Sequence, residues 1–407
     1  MLHPWIAHVP VYLMAAWWTF WLVASVTPLN IFVSPPGSVL AQFGVFIAVF
    51  LLGHFLMLVL TPGHAGPVMQ PPAGQPVASA QGRFRLHSVL MAMALACLAI
   101  VLLSLHMAGA LSESFIEYFI KLRRGELSGE SLTGSGLLDV ATKAIVWPMS
   151  YTLVVVALAL RIGPLRGVLA IAALNIVLFS YLWQVNYSLI YLFWFFVLYL
   201  IVGMAQGMPL DRKAMGLVLL LILVLLAVAA NRFGGDVLGG LQRYMFGYHM
   251  AGFAFYGHHF HDPSSLLHDH SLGRSSLGFL EQAVEIVSRR LDLGFVAASS
   301  TNADFNNEAV DLGRTELIEG NAFGTFLFGL YRDFHFFGIV AGGLVYGALV
   351  TLLLQRSRRQ WGAGAAFYVL ASSWMVGMMV NPIEQVHFWF SLTLIGVLVI
   401  GNRGLRP

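Results

Sequence analysis

Long, uninterrupted runs of apolar residues restrict what this chain can fold into more than any other feature. Ten runs each approach the roughly 20 residues that an α-helix needs to cross about 30 Å of hydrocarbon. Of the 407 residues, 58% are hydrophobic and only 10% are charged, whereas soluble domains are about 25% charged. A membrane β-barrel would instead show short alternating segments. The sequence therefore predicts an all-α, polytopic integral membrane protein with about ten transmembrane helices. We place the spans at 9–28, 38–60, 87–109, 144–160, 167–184, 188–208, 214–230, 335–354, 363–380 and 386–401.

Basic residues in the short turns between these spans predict the orientation of the chain. Lysine and arginine occupy alternate turns, and the intervening turns at 29–37, 185–187 and 381–385 contain neither. Because short cytoplasmic loops are enriched in basic residues, both termini are expected in the cytoplasm. Eighteen of the 19 acidic residues, all except Asp211, then fall on the outer side. We therefore expect the chemistry of the protein to take place at that outer face.

The predicted spans form two groups separated by one large outer segment. Residues 1–230 contain the first seven transmembrane helices, 231–334 form the large outer loop, and 335–407 contain the last three helices. Residues 62–82 carry five prolines and no charge, which predicts a disordered cytoplasmic linker. In the outer loop at 110–143, a membrane-lying amphipathic helix is predicted from the spacing of Phe115, Phe119 and Leu122. A second amphipathic helix is predicted in the large loop from the spacing of Leu277, Leu280, Val284, Val287 and Leu291.

The large outer loop contains seven arginines and no lysine. A guanidinium group is a planar fork that binds phosphate through two parallel hydrogen bonds and stays charged. The composition therefore favours recognition of an oxyanion by two or three of these residues. For any single arginine, an ordinary ion pair with one of the 12 acidic residues of the same loop is the alternative. The seven are Arg232, Arg243, Arg274, Arg289, Arg290, Arg314 and Arg332.

Six of the 14 histidines are concentrated within residues 249–270 of the same loop. Three interpretations of this histidine cluster are open. Histidine and the nearby aspartates are zinc ligand types, but the spacing matches no known ligand signature and no cysteine takes part. Histidine and tyrosine tips also suit a loop that meets water at the level of the lipid headgroups. Finally, one histidine can serve as general base for a substrate hydroxyl, because its reference pKa of about 6.5 suits proton abstraction.

Two ionisable residues, Arg332 and Asp333, lie at the outer edge of a predicted span. Ionisable groups are costly at that depth when they face lipid, so we expect both side chains to turn inward and find partners. An aromatic-rich interfacial anchor is the alternative interpretation of this stretch. Glu384 lies in the last outer turn, where a solvated acid is the simplest expectation. Pairing with an arginine, or closing an outer cavity, is the other interpretation of Glu384.

The stretch 321–347 also carries a family resemblance. An asparagine and a threonine precede an aromatic–x–Asp–aromatic pair and spaced glycines, namely Asn321, Thr325, Tyr331, Asp333, Phe334, Gly338 and Gly347. Two residue pairs, Arg-Tyr at 243–244 and Gly-Arg at 273–274 before an amphipathic helix, contribute to the same family resemblance. With its many spans and one large, late outer loop, the chain resembles the Wzy family of O-antigen and oligosaccharide repeat-unit polymerases. His335 departs from the pattern, because a glycine usually follows the Asp–aromatic pair.

The resemblance implies a C-type glycosyltransferase architecture in the bacterial inner membrane, with a helical core and a periplasmic lid. Such enzymes transfer a growing glycan from its undecaprenyl diphosphate carrier onto an incoming lipid-linked repeat unit at the periplasmic face. The implied partners are an undecaprenyl diphosphate-linked oligosaccharide, membrane lipid and a chain-length regulator protein. The resemblance implies no metal and no other cofactor. No basic stripe or RNA-binding motif in the sequence points to nucleic acid.

Under this hypothesis the arginines neutralise the diphosphate leaving group, the electrostatic contribution that is usually largest in catalysis. The candidate substrate-binding residues are Arg243, Tyr244, Arg274, Arg289, Arg332, Tyr331 and Asn321, with Arg243 and Arg274 favoured as diphosphate contacts. The candidate bases for the acceptor hydroxyl are His249, His258 and Asp333, with His259 beside them. Two other functions fit the same plan of spans. One is an O-antigen ligase that passes glycan to lipid A core, and the other is a lipid-linked oligosaccharide transporter.

Overall fold

A computed structural model of the chain describes residues 4–61, 80–112, 118, 132–161, 165–183, 185, 187–232, 239, 241–298, 300–301, 310–314, 318–320 and 324–401. Asn321 lies outside these described residues, as do Phe115, Phe119 and Leu122 of the first predicted amphipathic helix. Residues 62–79 of the predicted linker also lie outside them. The end of that linker was wrongly placed, because residues 80–82 begin a helix. Alanine and glutamine, which start it, are good helix formers and extend the apolar helix that follows.

The first half of the chain is helical wherever it is described, apart from the connecting turns. Its helices are α1 (Val9–Ala24), preceded by a 3₁₀ turn at Pro4–His8; α2 (Gly37–Leu60); α3 (Ala80–Met107); α4 (Gly136–Ala141), which continues through a π-helical turn at Thr142–Val146 into α5 (Trp147–Leu160); α6 (Arg166–Trp183); α7 (Tyr187–Ala205); and α8 (Arg212–Arg232).

The second half begins with a π-helical turn at Leu241–Gly247, followed by α9 (Tyr248–His261), a 3₁₀ turn at Leu266–His268 and α10 (Gly278–Arg290). α10 confirms the amphipathic helix predicted in the large loop. Two short strands, β1 (Val310–Asp311) and β2 (Glu319–Gly320), pair antiparallel with Val310 opposite Gly320. The chain then forms α11 (Phe326–Ser357), α12 (Trp361–Val376), a 3₁₀ turn at Pro382–Glu384 and α13 (Val386–Gly401). Because α11 begins well before residue 335, Arg332 and Asp333 belong to a helix.

Seven segments within the described residues are long and apolar enough to cross a membrane. They are Ile6–Ala24, Gly37–Leu60, Arg85–Met107, Gly136–Leu160, Arg166–Trp183, Tyr187–Ala205 and Phe326–Ser357. α13 is apolar but shorter. Inside hydrocarbon every backbone polar group must be paired within the protein, which a continuous helix achieves without other partners. The prediction of an all-α, polytopic membrane protein is therefore confirmed.

The chain divides into two compact units. The first comprises Met1–Gly66, Leu200–Gln355 and Leu370–Gln385. Its core is built around the buried ring of Trp374, whose centroid lies 4.0 Å from that of Phe50 and 5.1 Å from that of Trp18. The Trp18 indole also donates a hydrogen bond of 2.8 Å to the Trp374 carbonyl. These contacts join α1, α2 and the end of α12 into one packed core.

Glycines allow α2 and α11 to approach each other backbone to backbone in this first unit. A Cβ atom at Gly53 would lie 2.1 Å from the carbonyl oxygen of Leu344, and one at Gly347 would lie 2.0 Å from that of Phe50. No larger side chain fits at either position without moving a helix. Small residues at helix crossings are the usual means of close packing between membrane helices.

The second unit comprises Pro67–Tyr199, Arg356–Val369 and Val386–Pro407. Helix α5 packs against α6 and α13 in this unit. The Thr152 and Ser391 hydroxyls are hydrogen-bonded at 2.8 Å, which satisfies two buried polar groups between α5 and α13. At the start of α13 the buried His387 ring lies within 5.2 Å of Trp147, Tyr151 and Tyr191, measured between ring centroids.

Candidate functional site

Asp333 is the centre of a buried hydrogen-bonded network in the first unit. The Ser271 hydroxyl and the backbone N–H of Ser275 both donate to one oxygen of its carboxylate. The backbone N–H of Ser276 donates to the other oxygen at 2.9 Å. Asp333 thus fastens residues 271–276, hereafter the serine loop, to α11. A buried carboxylate needs such donors, because an unpaired charge in the interior is very costly.

The serine loop has a backbone shaped to surround an anion. Leu272 and Gly273 are consecutive residues with positive φ, at 51° and 89°. Left-handed turns of this kind direct neighbouring N–H groups toward one point and form an anion-binding concavity. In this protein the Asp333 carboxylate accepts hydrogen bonds from the N–H groups of Ser275 and Ser276, which follow this turn. Gly273 within a run of serines marks a turn in the sequence, but the sequence does not reveal that this turn binds Asp333.

α11 is kinked immediately after Asp333. Phe334 has φ −144° and ψ 24°, and His335 has φ 50° and ψ −141°. This region of backbone space is occupied almost only by glycine, and another residue held there costs roughly 1–3 kcal/mol. A glycine at position 335 would adopt this conformation without that cost. In this chain His335 adopts this conformation. Its ring stacks on the His270 and Tyr331 rings, with centroid distances of 3.8 Å and 5.0 Å.

Arg332 is buried beside Asp333. Its guanidinium donates a hydrogen bond of 3.2 Å from Nη1 to the carbonyl of Ala298, and its own carbonyl accepts from the Ser271 N–H at 2.9 Å. Negative charge near the guanidinium comes from Glu384, Asp269 and Asp333. The expectation that Arg332 and Asp333 turn inward and find partners is confirmed.

Glu384 was expected to be a solvated acid, and that expectation is wrong. Its side chain is buried, and Oε1 accepts a hydrogen bond of 2.9 Å from the Ser275 hydroxyl. Gly329 on α11 makes room for it, since a Cβ there would lie 3.2 Å from the same oxygen and 2.2 Å from the Asn381 amide nitrogen. The one available sequence signal is that Glu384 is the only acid after Asp333.

Arg274 lies in the serine loop, and its exposed guanidinium contacts the Glu281 carboxylate on α10. Its Nε is 2.5 Å from one oxygen of Glu281, and its Nη2 is 3.2 Å from the other. Burial raises the pKa of the Glu281 carboxyl, but hydrogen bonds from Arg274 and from the Ala298 N–H outweigh this and hold the pKa below its ordinary value. The same bond raises the pKa of Arg274. For Arg274, the ion-pair alternative describes the contact present in this structure.

Arg274 and Arg332 both donate hydrogen bonds to the segment that follows α10. Arg274 Nη2 lies 3.4 Å from the carbonyl oxygen of Val296, two residues before the Ala298 carbonyl that Arg332 contacts. The buried Glu285 of α10 accepts from the Ala297 N–H at 3.1 Å and so helps to hold this segment. The structure therefore brings Arg274, Arg332 and Asp333 of the predicted site into one network. Glu281 and Glu285 belong to the same network but were not predicted as site residues. Glu384 also belongs to it, although a solvated acid was the simplest expectation there.

The candidate histidine bases lie on α9. His249 is buried, with its ring stacked 4.4 Å from that of Trp21. His258 is exposed, and the ring of the buried His259 lies 5.0 Å from it. Burial, together with the charge of His258, lowers the pKa of His259 to about 4. Within the described residues, no group of three or more His, Cys, Asp and Glu side chains is placed to hold a metal ion.

The remaining predicted site residues are placed as follows. Arg243 is exposed on the π-helical turn before α9. Tyr331 is half-buried, and its ring lies edge-on to Phe260 at 5.6 Å. The side chains of Tyr244 and Arg289, like the whole of Asn321, lie outside what the structure describes.

Comparison of the chain with known protein families, with curated proteins and with solved structures gave no match. The site offers one exposed guanidinium fork on a turn and one buried guanidinium, both tied to the end of an apolar helix. Both oxygens of the Asp333 carboxylate already accept hydrogen bonds, so its geometry suits holding the serine loop. This arrangement can bind a phosphate group that is carried at a membrane surface.

Proposed function

We propose that this protein is an O-antigen-type polysaccharide polymerase, a glycosyltransferase of the bacterial inner membrane. It would transfer a growing glycan from undecaprenyl diphosphate onto an incoming lipid-linked repeat unit at the periplasmic face. The proposal includes ten spans, both termini in the cytoplasm and a C-type glycosyltransferase-like core. A chain-length regulator would be its protein partner.

The observation that carries the proposal is that the same end of α11 positions both Arg274 and Arg332. Arg274 sits on a turn fastened to Asp333, and Arg332 is the residue before Asp333 on the same helix. A substrate that arrives in the membrane presents its phosphates at the level of the headgroups, where an apolar span ends. Two fixed guanidinium groups at that level neutralise the charge that builds up on a departing diphosphate.

The role proposed for each residue follows from the exposure of its side chain and from the groups that the side chain contacts. Arg274 is the first diphosphate contact, because its guanidinium is exposed and can exchange the Glu281 carboxylate for phosphate. Arg332 supports it from the interior. Among the candidate bases, His258 is favoured, since it is exposed whereas His249 is stacked against Trp21. Arg243, Arg289, Tyr244, Tyr331 and Asn321 stay predicted substrate contacts.

Deletion of the gene from its native host, followed by electrophoresis of the lipopolysaccharide, separates this function from the two alternatives. Loss of a polymerase leaves core capped with a single repeat unit. Loss of a ligase leaves bare core with glycan stranded on the carrier. A transporter would instead move glycolipid across vesicles without changing the length of the glycan. Bare core after deletion would replace the proposal with the ligase.

Complementation with Arg274 variants tests the site. We expect Arg274→Ala and Arg274→Lys both to abolish long chains while the protein still accumulates in the membrane, because a point charge does not replace a fork. Glu281→Gln is the matched control, since it removes the negative charge that pairs with Arg274 and keeps the guanidinium; it should retain long chains. Normal chain length in Arg274→Ala would remove this residue from the site.

A further inference from the structure

Helix α10 turns its polar side toward the protein and its apolar side outward. Glu285 and Ser288, one turn apart, are 3% and 2% exposed. Leu280 and Val284, four residues apart on the other side, are 56% and 55% exposed. A surface helix of a protein in water shows the reverse arrangement, with its apolar stripe against the core. α10 is therefore inverted relative to a water-facing helix.

The inversion is held by specific hydrogen bonds on the polar side. Glu285 accepts from the Ala297 N–H and from the Ser300 hydroxyl. Glu281 accepts from the Ala298 N–H at 2.9 Å as well as from Arg274. These bonds satisfy the acids inside the protein and leave the apolar side of α10 facing away from it. Rotating the helix to bury the leucines would break them all.

The exposed apolar surface extends beyond α10 in both directions. Before and after the helix it includes Leu272, Leu277, Leu291, Leu293 and Val296, all exposed. Toward α11 it continues through Gly273, where a Cβ atom would lie 3.6 Å from the Phe334 ring. Phe334, Phe336 and Phe337 are exposed on α11, which is long and apolar enough to cross a membrane. One apolar surface therefore runs from a membrane helix onto α10.

We propose that the apolar side of α10 rests in the lipid bilayer. The bilayer is favoured as its occupant because the surface is continuous with the exposed aromatic side of α11, which faces lipid if that helix spans the membrane. An amphipathic helix in this position lies along the interface, with its apolar side among the acyl chains. The inference depends on the membrane character of α11 and holds whether or not the protein polymerises glycan. Its consequence is that Arg274, just before α10, is held at the depth of lipid phosphates.

Depth-dependent fluorescence quenching tests this placement in the full-length protein in vesicles. In a Cys97→Ser background, single cysteines from Leu280→Cys, Val284→Cys and Leu291→Cys would carry an environment-sensitive fluorophore. Ser264→Cys is the matched control, because it is an exposed polar residue of the same unit. We expect brominated phosphatidylcholine to quench the three α10-side reporters at least threefold more than the control. Aqueous iodide should quench the control more strongly.

Three results would overturn the inference. Equal iodide quenching at all four positions would place α10 in water. Protection from iodide with no quenching by brominated lipid would identify a protein, such as a second copy of this chain, as the occupant. Quenching that appears only after a polyprenyl phosphate is added would assign the surface to the tail of a lipid-linked substrate. Persistence of the lipid signal in a variant without polymerase activity would support the inference independently of the proposed function.

Discussion

At the scale of single residues, Asp333 is better placed to hold the serine loop than to take a proton from a substrate. Three donors already occupy its two oxygens, and two of them are backbone N–H groups one residue apart. A general base needs a lone pair within hydrogen-bond reach of the reacting hydroxyl. In this structure Asp333 fixes the turn that carries Arg274.

The variant Asp333→Asn distinguishes these two roles. We expect it to lower the free energy of unfolding by about 2–4 kcal/mol, because an amide leaves a buried donor facing donors and removes charge-assisted bonds. The serine loop should also become sensitive to limited proteolysis. Thermal unfolding in detergent measures the first effect, and Asp292→Asn, at an exposed acid of the same unit, is the control. A variant that is inactive but unchanged in stability and proteolysis would return Asp333 to the role of base.

At the scale of elements, the kink in α11 decides where Arg332 and Asp333 point. A straight helix would continue its 3.6-residue repeat past Asp333. The break at Phe334 and His335 interrupts that repeat, and the serine loop packs against α11 beside the break. Gly338 is required on the far side of the break, since a Cβ there would lie 2.0 Å from the carbonyl oxygen of Leu330. The kink is therefore built from one residue that is strained and one that must be glycine.

Substitutions at these two positions should have opposite effects on stability. We expect His335→Gly to stabilise the protein by about 1 kcal/mol, because it relieves the positive φ, although it also removes the ring stacked on His270. Gly338→Ala should destabilise it by about 1–3 kcal/mol through its clash with the backbone. Thermal unfolding of both variants in detergent gives the comparison. A destabilised His335→Gly protein would mean that the ring stack outweighs the strain.

The crossing of α2 and α11 supports a second comparison on one helix. Gly53→Ala should lower the free energy of unfolding by about 1–3 kcal/mol, because its methyl group would meet the carbonyl of Leu344. Gly44→Ala on the same helix meets nothing within 4 Å, so it should be neutral or stabilising by about 0.5–1 kcal/mol. Equal unfolding temperatures for the two variants would contradict the close crossing.

At the scale of the whole molecule, orientation decides which compartment the candidate site faces. The basic turns predict that Asp211 is cytoplasmic and that the large loop is outside. In a Cys97→Ser background, we expect Ser264→Cys to react with a membrane-impermeant maleimide in spheroplasts. Asp211→Cys, which is exposed in the turn before α8, should react only after the membrane is broken. The reverse labelling pattern would place the arginines in the cytoplasm and end the case for a periplasmic glycan substrate.

The sequence by itself determined the helical, membrane-embedded character of the chain and the amphipathic helix α10. Both are local properties. An apolar run of about 20 residues must pair its own backbone groups in lipid, and a helical repeat of Leu277, Leu280 and Val284 is visible without any knowledge of partners. Arg274, Arg332 and Asp333 were also identified as candidates from the sequence. A loop with arginine but no lysine is unusual, and so are ionisable residues at the end of a span.

Only the tertiary structure decided what those residues contact and which way α10 faces. Asp333 finds donors 57–62 residues away, and Ser275 finds Glu384 at a separation of 109 residues. Hydrogen bonds across such separations depend on how helices kink and pack, and no repeat in the sequence encodes them. The periodicity of α10 likewise marks an apolar side but not its direction. That direction follows from the burial of Glu285 and Ser288, whose partners come from the segment after the helix.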